Sequence, residues 1–128
     1  MARDRVVLVG DVITATGLLH VGLGAVSFAG PLGDMVAAGL VNSMGGFVDR
    51  QATLWYFVAG GFLLTAGLTT RWIRRRTGVA PLPLGWGLIV IAALGAAVAP
   101  VSGFWLVLIE GVLLVVAGRS RRTVVADA

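Results

Sequence analysis

Apolar residues gather in four long runs, over positions 6–29, 52–70, 84–99 and 102–118, and the polar positions fall between them. As helices rising 1.5 Å per residue, the first two would measure about 36 Å and about 28 Å. Each covers a hydrocarbon core of about 30 Å, the first with some tilt. The third reaches that length once positions 81–84 take part, and Pro81 and Pro83 suit a first helical turn. Pro100-Val101-Ser102-Gly103 breaks the third run from the fourth, so these two are expected as an antiparallel hairpin. The pattern therefore predicts an all-α fold: one domain over 1–128, a polytopic four-transmembrane-helix bundle.

Positions 30–51 form the one long connection. Gly30-Pro31 is expected to stop the first helix. Leu32, Val36, Leu40, Met44 and Phe47 then recur every three to four residues, and Asp34, Asn42, Asp49 and Arg50 supply polarity. That pattern predicts a short amphipathic helix at the outer membrane interface, broken at Gly45-Gly46, serving as a lid or as a connector.

Small residues mark the expected contact faces. In the first helix Ile13, Thr16, Gly17, His20, Gly24 and Ser27 share one side. In the second, Thr53, Gly60 and Gly67 stand seven apart. In the third, Gly85, Leu88, Ala92, Gly95, Ala96 and Ala99 make a narrow seam. Small side chains let helices approach closely in lipid, and hydroxyls bond across the contact.

Composition agrees with the pattern. The 128 residues are 58% hydrophobic and 12% charged, with mean hydropathy +0.96. A soluble domain carries about 25% charged residues. Cysteine is absent, which excludes disulfides and thiolate metal sites.

The net charge of +4 rests on ten basic residues, all arginine. Nine fall in three clusters: Arg3 and Arg5; Arg71, Arg74, Arg75 and Arg76; Arg119, Arg121 and Arg122. Four spans place all three clusters on one side, which predicts both termini cytoplasmic in a cell inner membrane. The first run is read as a retained span, because removing it as a signal peptide would split the clusters across the membrane. No aromatic-interleaved basic surface points to nucleic acid. Trp55, Tyr56, Phe104 and Trp105 suit an outer aromatic belt, and Trp72 suits the inner interface. Asp11, near the cytoplasmic end, is expected to pair with an arginine.

Two polar residues lie deep. Glu110 stands mid-way along the fourth run, and His20, the single histidine, has a similar depth on the first. An acid at the centre of a span costs about 2.5–3.5 kcal/mol on insertion scales and usually faces the bundle interior. A hydrogen bond between Glu110 and His20, direct or through one water, would relieve that cost. The pair is a candidate catalytic acid and base, or an interhelical clasp. The sequence carries no phosphate loop, His-Glu-x-x-His, Gly-x-Ser-x-Gly or EF-hand pattern. A lone histidine with scattered carboxylates predicts neither metal nor cofactor.

Five stretches carry a resemblance: Gly17-Leu18-Leu19-His20, Ala38-Gly39-Leu40-Val41-Asn42, Leu54-Trp55-Tyr56-Phe57, Leu84-Gly85-Trp86 and Pro100-Val101-Ser102-Gly103-Phe104-Trp105. With these the chain resembles a family of small bacterial four-span membrane proteins of unknown function. In that family's pattern a tryptophan often stands at Val41, and prolines often stand near Ile109 and Glu110. Glu110 is thus a departure, and the resemblance implies architecture without a reaction.

Three kinds of function fit. One is a structural or accessory membrane protein of lipid-binding type, with the bilayer and a hydrophobic small molecule or lipid as partners. The second is a membrane-embedded isomerase or cyclase using Glu110 and His20. The third is a proton-coupled small-molecule exporter acting as a homo-oligomer, a dimer, although small multidrug exporters carry their central glutamate in the first helix.

Overall fold

The computed structural model describes residues 2–126, with side chains for residues 8–119. The side chains of Arg3, Arg5, Arg121 and Arg122, on which part of the expected charge asymmetry falls, lie outside the described residues. Five helices and no strands are found among the described residues: α1 (Ala2–Ser27), α2 (Ala29–Ala37), α3 (Val48–Thr77), α4 (Leu82–Val98) and α5 (Phe104–Ala126). Two of them, over Leu8–Ser27 and Val48–Thr77, are long and apolar enough to cross a membrane. α4, with 17 residues, is shorter.

The helices form two hairpins. α1 packs along α3, and α4 packs along α5; the hairpins meet where α1 touches α5. α3 and α4 share no packed interface among the described residues. The α3–α4 corner is set by Gly78, whose left-handed φ of 71° and N–H bond to the Arg74 carbonyl close α3. Pro81 then leads into α4. The α4–α5 turn is closed by Ser102, which donates to the Ala99 carbonyl at 2.6 Å and accepts from the Phe104 N–H at 3.4 Å. Trp105 Nε1 donates to the Pro100 carbonyl at 2.8 Å.

The contact faces expected from spacing are those that are buried. Ile13, Gly17 and Gly24 of α1 are buried, as are Thr53, Gly60 and Gly67 of α3; Gly17 faces Leu64, Gly24 faces Tyr56, Gly60 faces Val21 and Gly67 faces Thr14. The seam of α4 buries Gly85, Leu88, Ala92 and Ala96 against α5, where Gly85 and Gly111 sit backbone to backbone. Ser27, assigned to the same face of α1, is exposed instead. Around this interior of small residues many large apolar side chains point outwards: Val26 is 79% exposed, Leu94 65% and Ile109 56%. A soluble fold has the opposite distribution.

The connection departs from expectation at both ends. Gly30-Pro31 does not stop α1. The interruption falls at Phe28, and α2 follows at once, with Phe28 N–H bonded to the Gly24 carbonyl and Leu32 N–H to that of Phe28. Pro31 sits in the first turn of α2, where its missing N–H has no intrahelical partner to lose. The amphipathic helix also ends early, at Ala37. Gly39 and Leu40 take left-handed φ values of 88° and 65°, which no α-helix accommodates. The chain from 38 to 47 is a loop, held by Arg50 Nη1 donating to the Ser43 carbonyl at 2.7 Å.

Candidate functional site

Because α3 and α4 stand apart, a half-open cavity of about 790 Å³ lies between the two hairpins. All four long helices line it, α1 through Leu19 and Leu23, α3 through Phe62, α4 through Gly87 and Ile91, and α5 through Val107. Its wall is apolar except at Thr16, His20, Tyr56 and the Ser102 turn, and it contains no aspartate, glutamate, lysine or arginine. The buried cluster of Val9, Ile13, Leu88 and Leu114 adjoins it, with Leu88 common to both. The volume lies within the range of about 300–1,000 Å³ typical of small-molecule sites.

His20 is placed by reciprocal packing of α1 against α3. Its ring lies flat on Tyr56, centroids 3.9 Å apart and planes 10° from parallel. Its Nε2 lies 3.1 Å from the Tyr56 carbonyl. A carbonyl only accepts, so in the neutral ring Nε2 carries the proton and Nδ1 is left as an acceptor. Glycines make this arrangement fit. A Cβ on Gly24 would stand 2.6 Å from the Tyr56 ring, and one on Gly60 would stand 3.2 Å from the His20 ring.

Glu110 is fully buried where α5 crosses α1. Its Oε1 accepts a hydrogen bond from the Thr16 hydroxyl, and its Oε2 has no hydrogen-bond partner among the described residues. Thr16 lies one turn before His20 and lines the cavity; Glu110 lies behind it. The Thr16–Glu110 bond therefore links the α1/α3 hairpin to the α4/α5 hairpin.

The structure places both expected residues in the interior and corrects their pairing. The direct hydrogen bond expected between His20 and Glu110 is not made, because each has a nearer partner. His20 turns towards α3, where the Tyr56 carbonyl and ring receive it, and Glu110 meets the hydroxyl one turn away. Two participants were not singled out from sequence. Thr16 was assigned to the inner face with no partner, and Tyr56 was read as a belt residue. Gly24 and Gly60, which make room for the two rings, were the available signal.

Away from the cavity, Asp11 pairs with Arg71 at 2.8 Å, as its position near the arginine-rich end suggested. Arg119 lies over the Trp86 ring at 5.4 Å and Arg76 over Trp72 at 5.7 Å. Among the described residues no group of three acids or histidines is placed to hold a metal ion.

No curated protein and no solved structure matches the chain detectably. A family model does match, over residues 4–121, nearly the whole length, and the chain accordingly belongs to the family of unknown function DUF6463.

Proposed function

We propose that this chain is a four-span integral membrane protein that holds a lipid or other hydrophobic small molecule between its two hairpins. The observation that carries the reading is the apolar cavity of about 790 Å³ between α1, α3, α4 and α5. A cleft on the side of a bundle in a bilayer faces acyl chains, and its uncharged wall suits them.

Several features support the membrane setting. Large apolar side chains face outwards while glycine, alanine and threonine fill the contacts, which matches helix packing in lipid. The two longest apolar helices have only 28% and 17% of their spanning windows buried, unlike core helices of a soluble protein. All four tryptophans are exposed. Trp72 and Trp86 lie at the end of the molecule that carries Arg71, Arg75, Arg76 and Arg119, and Trp55 and Trp105 lie at the other. Trp55 and Trp72 are separated along α3 by about 26 Å, close to the thickness of a hydrocarbon core. Such girdles suit a spanning bundle, and the arginine bias favours both termini on the cytoplasmic side. No contact of His20 or Glu110 favours an acid–base reaction or proton-coupled export in the same way.

The test is lipid extraction from protein purified in a mild detergent. Gly87 lines the cavity, and a Cβ there meets nothing within 4 Å, so Gly87→Phe fills the space without a backbone clash. Gly22, equally open but outside the cavity lining, gives the control Gly22→Phe. Wild type and Gly22→Phe are expected to carry a bound hydrophobic molecule that Gly87→Phe lacks. Equal bound lipid in all three would overturn the reading.

A further inference from the structure

We infer that the occupant of the cavity is a neutral long-chain lipid with a free hydroxyl, and that His20 is its polar anchor. The inference rests on the cavity reading above and narrows it by a count of donors and acceptors. Three of the four polar side chains on the wall have already used their donors. His20 Nε2–H is directed to the Tyr56 carbonyl, the Thr16 hydroxyl to Glu110, and the Ser102 hydroxyl to the Ala99 carbonyl.

His20 Nδ1 remains. It makes no hydrogen bond among the described residues and is not among the sealed-off polar atoms, so it is open to a ligand. In the neutral ring it can only accept. A molecule that satisfies it must bring an O–H or N–H. Tyr56, whose hydroxyl both donates and accepts, is the remaining polar residue on the wall. An alcohol meets both requirements with one group, donating to Nδ1 and accepting from a phenol.

Among the described residues the wall carries no lysine or arginine, so a carboxylate or phosphate head would enter it without such a partner, at high desolvation cost. An ether or hydrocarbon would leave Nδ1 unsatisfied. The apolar remainder of the cavity takes the chain.

The experiment compares three probes of equal chain length: hexadecan-1-ol, hexadecyl methyl ether and hexadecanoate. Binding is read from the thermal midpoint of the detergent-solubilised protein across a titration of each probe. Contact is read from the imidazole ¹⁵N resonances, which the single histidine makes unambiguous. The alcohol is expected to bind about tenfold more tightly than the ether. It alone should shift the Nδ1 resonance. His20→Phe keeps a ring to stack on Tyr56 but loses the acceptor, and is expected to abolish the difference between alcohol and ether. The wild-type comparison needs no variant, so a misfolded His20→Phe leaves the test intact.

Equal binding of alcohol and ether, with Nδ1 unmoved, overturns the inference while the cavity reading stands. Preferred binding of hexadecanoate also overturns it and moves the anchor to the α5 N-terminus near Gly103. No binding of any probe, together with no co-purified lipid, removes both readings.

Discussion

At the scale of single residues the unusual feature is Glu110, a buried carboxyl group with one oxygen bonded and the other without a hydrogen-bond partner among the described residues. Removing Thr16's hydroxyl would leave the second oxygen stranded as well. Thr16→Val is therefore expected to destabilise the protein by about 1–3 kcal/mol, the cost of an unsatisfied buried polar group. Glu110→Leu removes the unpartnered oxygen together with the bonded one and leaves only a threonine hydroxyl at the cavity wall, so its cost should be smaller. The double variant should cost less than the sum of the two, with a coupling energy visible in a thermal or denaturant unfolding cycle. Strict additivity would mean that the two side chains are not in contact. The sequence put Glu110 and His20 mid-way along apolar runs, and the structure has Glu110 buried and His20 half-buried on the cavity wall. The sequence did not show that they have separate partners. That depends on the rotation of each helix and on which helices are neighbours, and Tyr56 is 36 positions from His20.

At the scale of helices, packing is decided by where a Cβ can exist. Gly67 faces α1 so closely that a Cβ there would stand 2.6 Å from the Thr14 backbone nitrogen. Backbone cannot swing aside as a side chain can, so Gly67→Ala should force α1 and α3 apart and lower the thermal midpoint sharply. Gly61, six residues earlier on α3, has nothing within 4 Å of its Cβ position. There an alanine gains helix propensity of about 0.8–1.0 kcal/mol without a clash, so Gly61→Ala should be neutral or stabilising. A midpoint lowered equally by both substitutions would refute the close approach.

The α4 seam gives a parallel case: Ala92 is fully buried, and Ala92→Leu is expected to cost about 1–3 kcal/mol by overpacking. These faces were legible because small residues at spacings of three, four and seven define a stripe whatever the partner. The connection was less legible. Leu32 to Phe47 keep a helical period in sequence, yet the helix ends at Ala37, where Gly39 and Leu40 turn left-handed. Periodicity reports which residues would share a face if a helix formed, and it is silent on a backbone reversal imposed from within the loop.

At the scale of the whole molecule the design is two close-packed hairpins with a looser joint between them. Within each hairpin, glycines bring backbones together. Between hairpins, contact runs through α1 and α5, and the gap between α3 and α4 becomes the cavity. The four apolar runs made the helices legible, but the gap was not, since it depends on α3 and α4 being neighbours in sequence without being packed partners.

On the four-span reading proposed above, the same architecture sorts the connections to two ends. Antiparallel order along the four long helices puts the loop of residues 38–47 and the Pro100 turn at one end. The Thr77–Pro81 corner lies at the other, with Arg71, Arg75, Arg76 and Arg119. Val41 is 87% exposed in the first location and Thr77 is exposed in the second. Because the wild-type chain has no cysteine, Val41→Cys and Thr77→Cys each provide one thiol in a silent background. With the arginine end cytoplasmic, a membrane-impermeant maleimide added to intact cells should label the Val41→Cys variant. It should reach the Thr77→Cys variant only after the membrane is opened. The reverse pattern would invert the topology and leave the arginine bias without a role in it. Labelling of both variants in intact cells would mean that α3 does not separate the two compartments, and the four-span reading would fail with it.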